Sequence, residues 1–178
     1  MRFEIRPLTS KDAAAFQVLR LRSLRESPEA FGSSYDEEVS RPLTAVGERL
    51  EAALTPHARV VFGALADGTL IGVVGCAQES RVKTRHKAVI WGMYVRSQHR
   101  RTGAGERLLR AAIDQARSWP GVEQVRLSVT EIAGEARRLY ERNGFQEWGR
   151  EPRALCWQGR YVADSHMSLD LRVPRPPA

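Results

Sequence analysis

Apolar residues recur along this chain at two intervals, and each change of interval marks an element. Residues 3–6 alternate (Phe3, Glu4, Ile5, Arg6), the period of a short strand, and Pro7 closes it. Thr9 or Ser10 then caps a helix running to about Glu26, with Ala13, Phe16, Leu19 and Leu24 on a partial apolar face. Ser27 and Pro28 end it. A second helical region starts near Ser34, three residues before Glu37, which is the spacing of a capping box. Pro42 interrupts that region, and Leu43, Val46, Leu50 and Leu54 resume the helical interval.

From Arg59 the period switches to that of strands. Residues 59–66 and 69–78 are β-rich and joined by Asp67-Gly68, a strong hairpin signal. Residues 81–87 form a polar loop, and 88–95 read as a third long strand. A glycine-bearing turn leads into a helix over about 105–119, which buries Leu108, Leu109, Ala112, Ile113 and Ala116. After Pro120-Gly121 come a strand (124–130), a short helix (134–142) ended by Asn143-Gly144, and one broken strand (145–148 with 154–157). Gln158-Gly159 turns the chain into a last strand over 161–171. The pattern implies a mixed α/β fold, one sheet with helices on both faces, in a single domain over 1–172. The tail 173–178, with three prolines, is expected to be disordered.

Composition narrows the function classes. The 178 residues are 42% hydrophobic and 28% charged, ordinary values for a globular protein, with a formal charge of +7. Such a charge attracts anionic partners, but no basic run of five and no basic stripe interleaved with aromatics argues for nucleic acid. Cys76 and Cys156 form no CxxC pair and read as two buried thiols, and His57, His86, His99 and His166 have no metal-ligand spacing, so no metal is expected. No signal core or membrane-length apolar run is present, so the chain is expected in the cytoplasm, as a monomer or homodimer.

The chemistry concentrates in Arg100-Arg101-Thr102-Gly103-Ala104-Gly105, with Glu106 following, between a strand and an amphipathic helix. The first amides of a helix lack internal partners and lie at the positive end of its dipole. Glycines at 103 and 105 allow close approach to an anion and the arginines add charge, a combination suited to a pyrophosphate. No GK[ST] follows, which excludes a Walker loop. Leu108 replaces the third glycine of the dinucleotide fingerprint and no parallel βαβ unit leads in, which excludes that motif as well. Glu106 and Arg110 form an (i, i+4) pair on the helix surface.

At this point the sequence resembles the GNAT superfamily of acyl-CoA-dependent N-acetyltransferases. Three motifs carry the resemblance: Arg100-x-x-Gly103-x-Gly105, then Ala136-x-x-Leu139-Tyr140-x-x-x-Gly144-Phe145, then Gly159-Arg160-Tyr161-Val162 with Met167-Ser168-Leu169. It covers about residues 3–171 and implies a central mixed, mostly antiparallel sheet of six to seven strands. It also implies acetyl-CoA as cosubstrate, and direct attack by a primary amine in a ternary complex. Met93, Tyr94 and Val95 would hold the pantetheine arm through backbone groups, on a strand that splays from its neighbour to open a V-shaped slot. Residues 100–106 would cradle the diphosphate, Ala133 and Ala136 would line the arm, and Tyr140 would protonate the departing thiolate as general acid. By spacing alone Tyr140 reads as a core aromatic with a polar tip; the motif around it turns the reading toward the reaction.

Two positions depart from the family pattern. Ala133 stands where relatives carry an asparagine that bonds the cofactor arm or nearby backbone, and Val89 stands where several branches carry a glutamate base. The base is therefore unassigned: Glu79, Glu26 and Tyr35 are candidates, each of which also reads as a solvated surface group. Trp91, Trp148 and Trp157 read as core or pocket wall. The acceptor, a small-molecule amine or a protein N-terminus, is expected to be set by residues 27–34 and 149–153, and the positive charge argues against polyamines. A second reading is a non-catalytic acyl-CoA-binding or sensor module of the same fold.

Overall fold

The computed structural model describes residues 3–51 and 59–173; Leu54, His57 and most of the proline-containing tail lie outside the described residues. Strand β1 (Glu4–Pro7) leads through a 3-10 turn (Ser10–Asp12) into α1 (Ala13–Glu26). A second 3-10 turn (Pro28–Ala30), α2 (Tyr35–Val39) and α3 (Leu43–Glu51) follow. Then come β2 (Arg59–Ala66), β3 (Thr69–Gln78), β4 (Lys87–Val95), α4 (Ala104–Ser118), β5 (Gln124–Thr130), α5 (Gly134–Arg142), β6 (Gln146–Trp157) and β7 (Arg160–Asp170).

Local chemistry accounts for the boundaries. Ser34 and Glu37 cap α2 reciprocally, with the Ser34 amide donating to Glu37 Oε2 at 2.7 Å and the Glu37 amide to Ser34 Oγ at 3.3 Å. Thr9 and Asp12 make the same box one helix earlier, and a bidentate pair from Arg6 to Asp12 (2.7 and 2.8 Å) ties it to β1. Asp67-Gly68 and Gln158-Gly159 both take positive φ at consecutive positions, the turn that matches strand twist.

All seven strands form one sheet, in the order β1-β2-β3-β4-β5-β7-β6, antiparallel except for β4 and β5. That parallel pair is joined through α4, so the glycine turn does lie inside a β–α–β unit. The case against a dinucleotide fingerprint then rests on Leu108 alone. Helix α4 covers one face, burying Leu108, Leu109, Ala112, Ile113 and Ala116 against Val74, Cys76 and Val125. Burial of each large side chain contributes roughly 1.5–3 kcal/mol. Helices α1 and α3 cover the other face through Leu19, Val46 and Leu50 on Val61, Leu70 and Val73.

Three expectations change. The broken strand is continuous, its breaks being register shifts after Glu147 and Glu151 rather than loops. Because β6 is the sheet's edge, Trp148 (59% exposed) and Trp157 (40%) face solvent instead of core, with Trp148 stacked on His166. For the same reason Cys156 is exposed, whereas Cys76 is buried as expected and its thiol is pushed up to about 12.

Candidate active site

Strands β4 and β5 pair only at their beginnings, Lys87 with Gln124, Ala88 with Val125 and Val89 with Arg126. Beyond Val89 they diverge, and the sheet opens into a wedge. Within the same stretch β4 carries a bulge against β3: Val73 pairs with Tyr94 but Gly75 with Trp91, so one extra residue enters β4. Gly92, at φ +62, sits in it. The bulge shifts the strand's alternation by one. Ala88 and Ile90 face α4, and after the bulge so do Met93 and Val95, while Trp91 and Tyr94 share the opposite face. One strand therefore serves two cavities.

The larger cavity, about 620 Å³, lies in the wedge. Met93, Tyr94 and Val95 form one wall, Ala133, Ala136, Leu139 and Tyr140 the other, and Arg100, Arg101, Gly103, Gly105 and Glu106 one end. Nearly every residue expected at the cofactor site is thus gathered into one groove. Two of the turn residues point elsewhere: Ala104 is buried in the core, and Thr102 donates its hydroxyl to the His99 carbonyl at 2.8 Å.

The turn has an anion-binding build. Gly103, in the left-handed region at φ +87, is the N-cap of α4 and has open space where a Cβ would stand. The first backbone bond returns from the Arg107 amide to the Gly103 carbonyl, so the amides of residues 104–106 face out of the helix end. The Glu106 carboxylate is engaged, accepting from Arg110 (2.8 Å) and from the buried Asn143 (3.1 Å). Arg101 reaches across the groove mouth to Glu135, a highly exposed ion pair at 2.9 Å that holds the Glu135 carboxyl below its ordinary range.

Tyr140 is buried, edge-on to Phe145, and its hydroxyl donates to Met93 Sδ at 3.6 Å across the wedge. Burial pushes the phenol up to about 12, so it stays protonated at neutral pH. Ala133 is the N-cap of α5 and supplies no side-chain cap, which leaves that helix end open toward the groove.

Sequence reasoning missed part of the lining. Ile132 and Gly134 precede the second motif and Arg138 and Arg142 fill variable positions within it, so all four were discoverable by following that segment of chain. Of residues 27–34, Ser27, Glu29, Ala30 and Phe31 line the groove, while Ser33 lines the smaller cavity. That cavity, about 150 Å³, lies on the α1 and α3 side of β4. Gln17, Arg20, Glu38, Arg41, Arg49, Arg59, Trp91 and Gly92 surround it, and nothing in the sequence pattern singled out its polar members. Residues 149–153 line neither cavity, since they belong to the exposed edge strand.

The base candidates fare differently. Glu79 lies just past the end of β3 where it pairs with the start of β4, its amide bonded to the Lys87 carbonyl, at the opposite end of the sheet from the wedge. It is set aside. Val89 lines neither cavity, and Tyr35 lies under the Arg25 guanidinium at 4.0 Å. Glu26 accepts from the Tyr94 hydroxyl and from Arg22 Nε, both at 2.6 Å, and these bonds hold its carboxyl below the ordinary range. A carboxylate so stabilised is a poor proton acceptor; it fixes Tyr94 on β4.

Among the described residues no group of three His, Cys, Asp or Glu side chains is placed to hold a metal, and no helix is long and apolar enough to cross a membrane. No curated protein matches the chain. Solved structures resemble it closely in fold. A GNAT-family acetyltransferase from Streptococcus pneumoniae superposes with a TM-score of 0.85 at 21% identity, over 95% of this chain and 99% of that one. A Salmonella typhimurium structure solved with its cofactor acetyl-CoA gives 0.84 at 20%, over 100% and 99%. The ribosomal-protein-alanine N-acetyltransferase of Brucella melitensis gives 0.80 at 21%, over 94% and 99%. The sequence model of the acetyltransferase (GNAT) family matches residues 21–145, most of the chain and all of the wedge up to Phe145, and the chain belongs to that family.

Proposed function

We propose that this protein transfers the acetyl group of acetyl-CoA to a primary amine, with both substrates bound together in the β4–β5 wedge. The observation that carries the reading is the placement of an outward-facing helix end at Gly103 and a buried, protonated Tyr140 on one groove. The diphosphate is held by the amides of residues 101–106 with Arg100 and Arg101, and the pantetheine arm runs between β4 and α5. Amides beyond Val89 on β4 have lost their β5 partners, so the arm can complete the strand pairing there.

The amine nitrogen attacks the thioester carbonyl carbon, the C–S bond breaks, and the thiolate takes the Tyr140 hydroxyl proton. Tyr140 now donates to the Met93 sulfur, and a thioester sulfur in the wedge is a second acceptor of the same kind. The proton lost by the attacking nitrogen passes through water in the groove to the Tyr140 phenolate and restores the phenol. No side-chain base is assigned, because the carboxylates lining the groove are Glu29 at its rim and Glu106 and Glu135, both held by arginines.

The test is release of free thiol from acetyl-CoA with a library of small amines and peptides, with products identified by mass spectrometry. Amine-dependent thiol release with matching acetylated products is expected. Tight acetyl-CoA binding with no turnover on any amine or peptide would instead leave a non-catalytic acyl-CoA sensor.

A further inference from the structure

The smaller cavity has a charge pattern that the groove does not need. Arg20, Arg41, Arg49 and Arg59 all line it, and the carboxylate among them is Glu38, which is 7% exposed. Glu38 accepts from Arg41 Nε at 3.0 Å, with Arg20 and Arg49 each at 3.9 Å. One carboxylate cannot neutralise four guanidiniums. Arg20 is pushed down by burial and by Arg49 and Arg41, and Arg59 by burial and by Arg49. The cluster is held together against its own repulsion by the fold.

Two polar atoms of residues lining this cavity, Gln17 Oε1 and Arg59 Nε, are buried with no partner among the described residues. Gln17 is 7% exposed, and its Nε2 donates to the Glu38 carbonyl at 2.7 Å, which fixes Oε1 as the free acceptor. Arg59 lies over the Trp91 ring at 4.9 Å, so its plane is set in advance. An unpartnered guanidinium N–H beside three further arginines is a donor that an anionic ligand would satisfy.

The position fits the acceptor. Trp91 and Gly92 line this cavity, and Met93 and Tyr94, next along the bulged strand, line the groove. Gly92 and Met93 are consecutive, with Cα atoms about 3.8 Å apart, so the two cavities adjoin at this strand. We propose that this cavity receives an acidic group of the acceptor, so that the amines acetylated are small and carry a carboxylate or phosphonate beside the amine. This rests on the acetyltransferase reading and specifies its substrate class. The arginines take the anion, and the volume of about 150 Å³ admits a group of a few heavy atoms rather than a peptide chain.

The test uses matched pairs on the intact protein: amino acids, their decarboxylated amines, their α-amides, and aminoalkylphosphonates, with a linear diamine as the cationic extreme. Acidic members are expected to show kcat/KM at least about tenfold above their neutral partners, through KM, with the gap shrinking as salt rises. In Arg59→Gln and in the half-exposed Arg49→Gln the acidic-to-neutral ratio should collapse toward one. The salt response separates binding of an anion from a merely structural role. Neutral amines or the diamine used as well as acidic ones would overturn the inference while leaving the acetyltransferase intact. If acetyl-CoA binds but nothing turns over, calorimetry of the same pairs decides: tighter binding of acidic members supports the assignment, and equal binding ends it. No acetyl-CoA binding at all would sink both.

Discussion

In the proposed reaction Tyr140 is the residue on which the chemistry turns. Its burial raises the phenol to about 12, which keeps the proton in place at neutral pH. Tyr140→Phe should lower kcat by about 100-fold or more, with a smaller rise in the acetyl-CoA KM, as steady-state kinetics would reveal; unchanged turnover would remove the residue from the mechanism. The pH–rate profile should rise as the acceptor amine deprotonates and show no downturn below about pH 10. Asp12 makes a separate prediction about stability. Its hydrogen bond to Arg6, helped by the Thr9 amide, holds the carboxyl at about 2, below its unfolded value. A depressed carboxylate stabilises the fold above the unfolded pKa and loses that contribution as pH falls from about 4 toward 2. Urea denaturation of Asp12→Asn should therefore show a deficit of about 1–2 kcal/mol at pH 7, after allowance for partial exposure, that closes near pH 2.5.

Among the elements, α4 and α5 present their N-termini to the same groove, one through Gly103 and the other through Ala133. Gly103→Ala and Gly103→Glu share the backbone cost of a side chain at φ +87, of order 1–2 kcal/mol. The glutamate adds bulk and negative charge at the proposed diphosphate site. Calorimetry should find acetyl-CoA affinity at least about tenfold weaker in Gly103→Glu than in Gly103→Ala, and equal affinities would contradict the cradle. At the other helix end an alanine cap is among the least favourable, so Ala133→Asn should raise thermal stability by about 1 kcal/mol without weakening acetyl-CoA. The elements were also the most legible level of the sequence. Helix α4 could be read because Leu108, Leu109, Ala112, Ile113 and Ala116 keep one face, and Asp67-Gly68 because only a few dipeptides make that turn. The bulge at Gly92 was not legible: a single glycine inside an apolar strand leaves the alternation ambiguous until the partner strand fixes the register. The exposure of Trp148, Trp157 and Cys156 escaped for a related reason, since composition cannot say which strand ends at the sheet's edge.

At the level of the whole molecule, the sheet brings together segments far apart in sequence. The groove could be foreseen because both of its motifs are contiguous in the chain. The smaller cavity could not, because Gln17, Glu38, Arg59 and Trp91 come from four elements and each looks like an ordinary residue where it stands. The same architecture leaves β4 unpaired with β5 beyond Val89, so occupancy of the wedge by acetyl-CoA should stiffen the molecule. At about 100 times Kd the ligand should add roughly 2.7 kcal/mol and raise Tm by about 5–10 °C. The most direct measurement of the central claim is a crystal structure with acetyl-CoA bound. The diphosphate is predicted on the amides of residues 101–106, with the thioester sulfur within about 3.5 Å of the Tyr140 hydroxyl. A diphosphate seated away from Gly103, or a sulfur out of that hydroxyl's reach, would contradict the account.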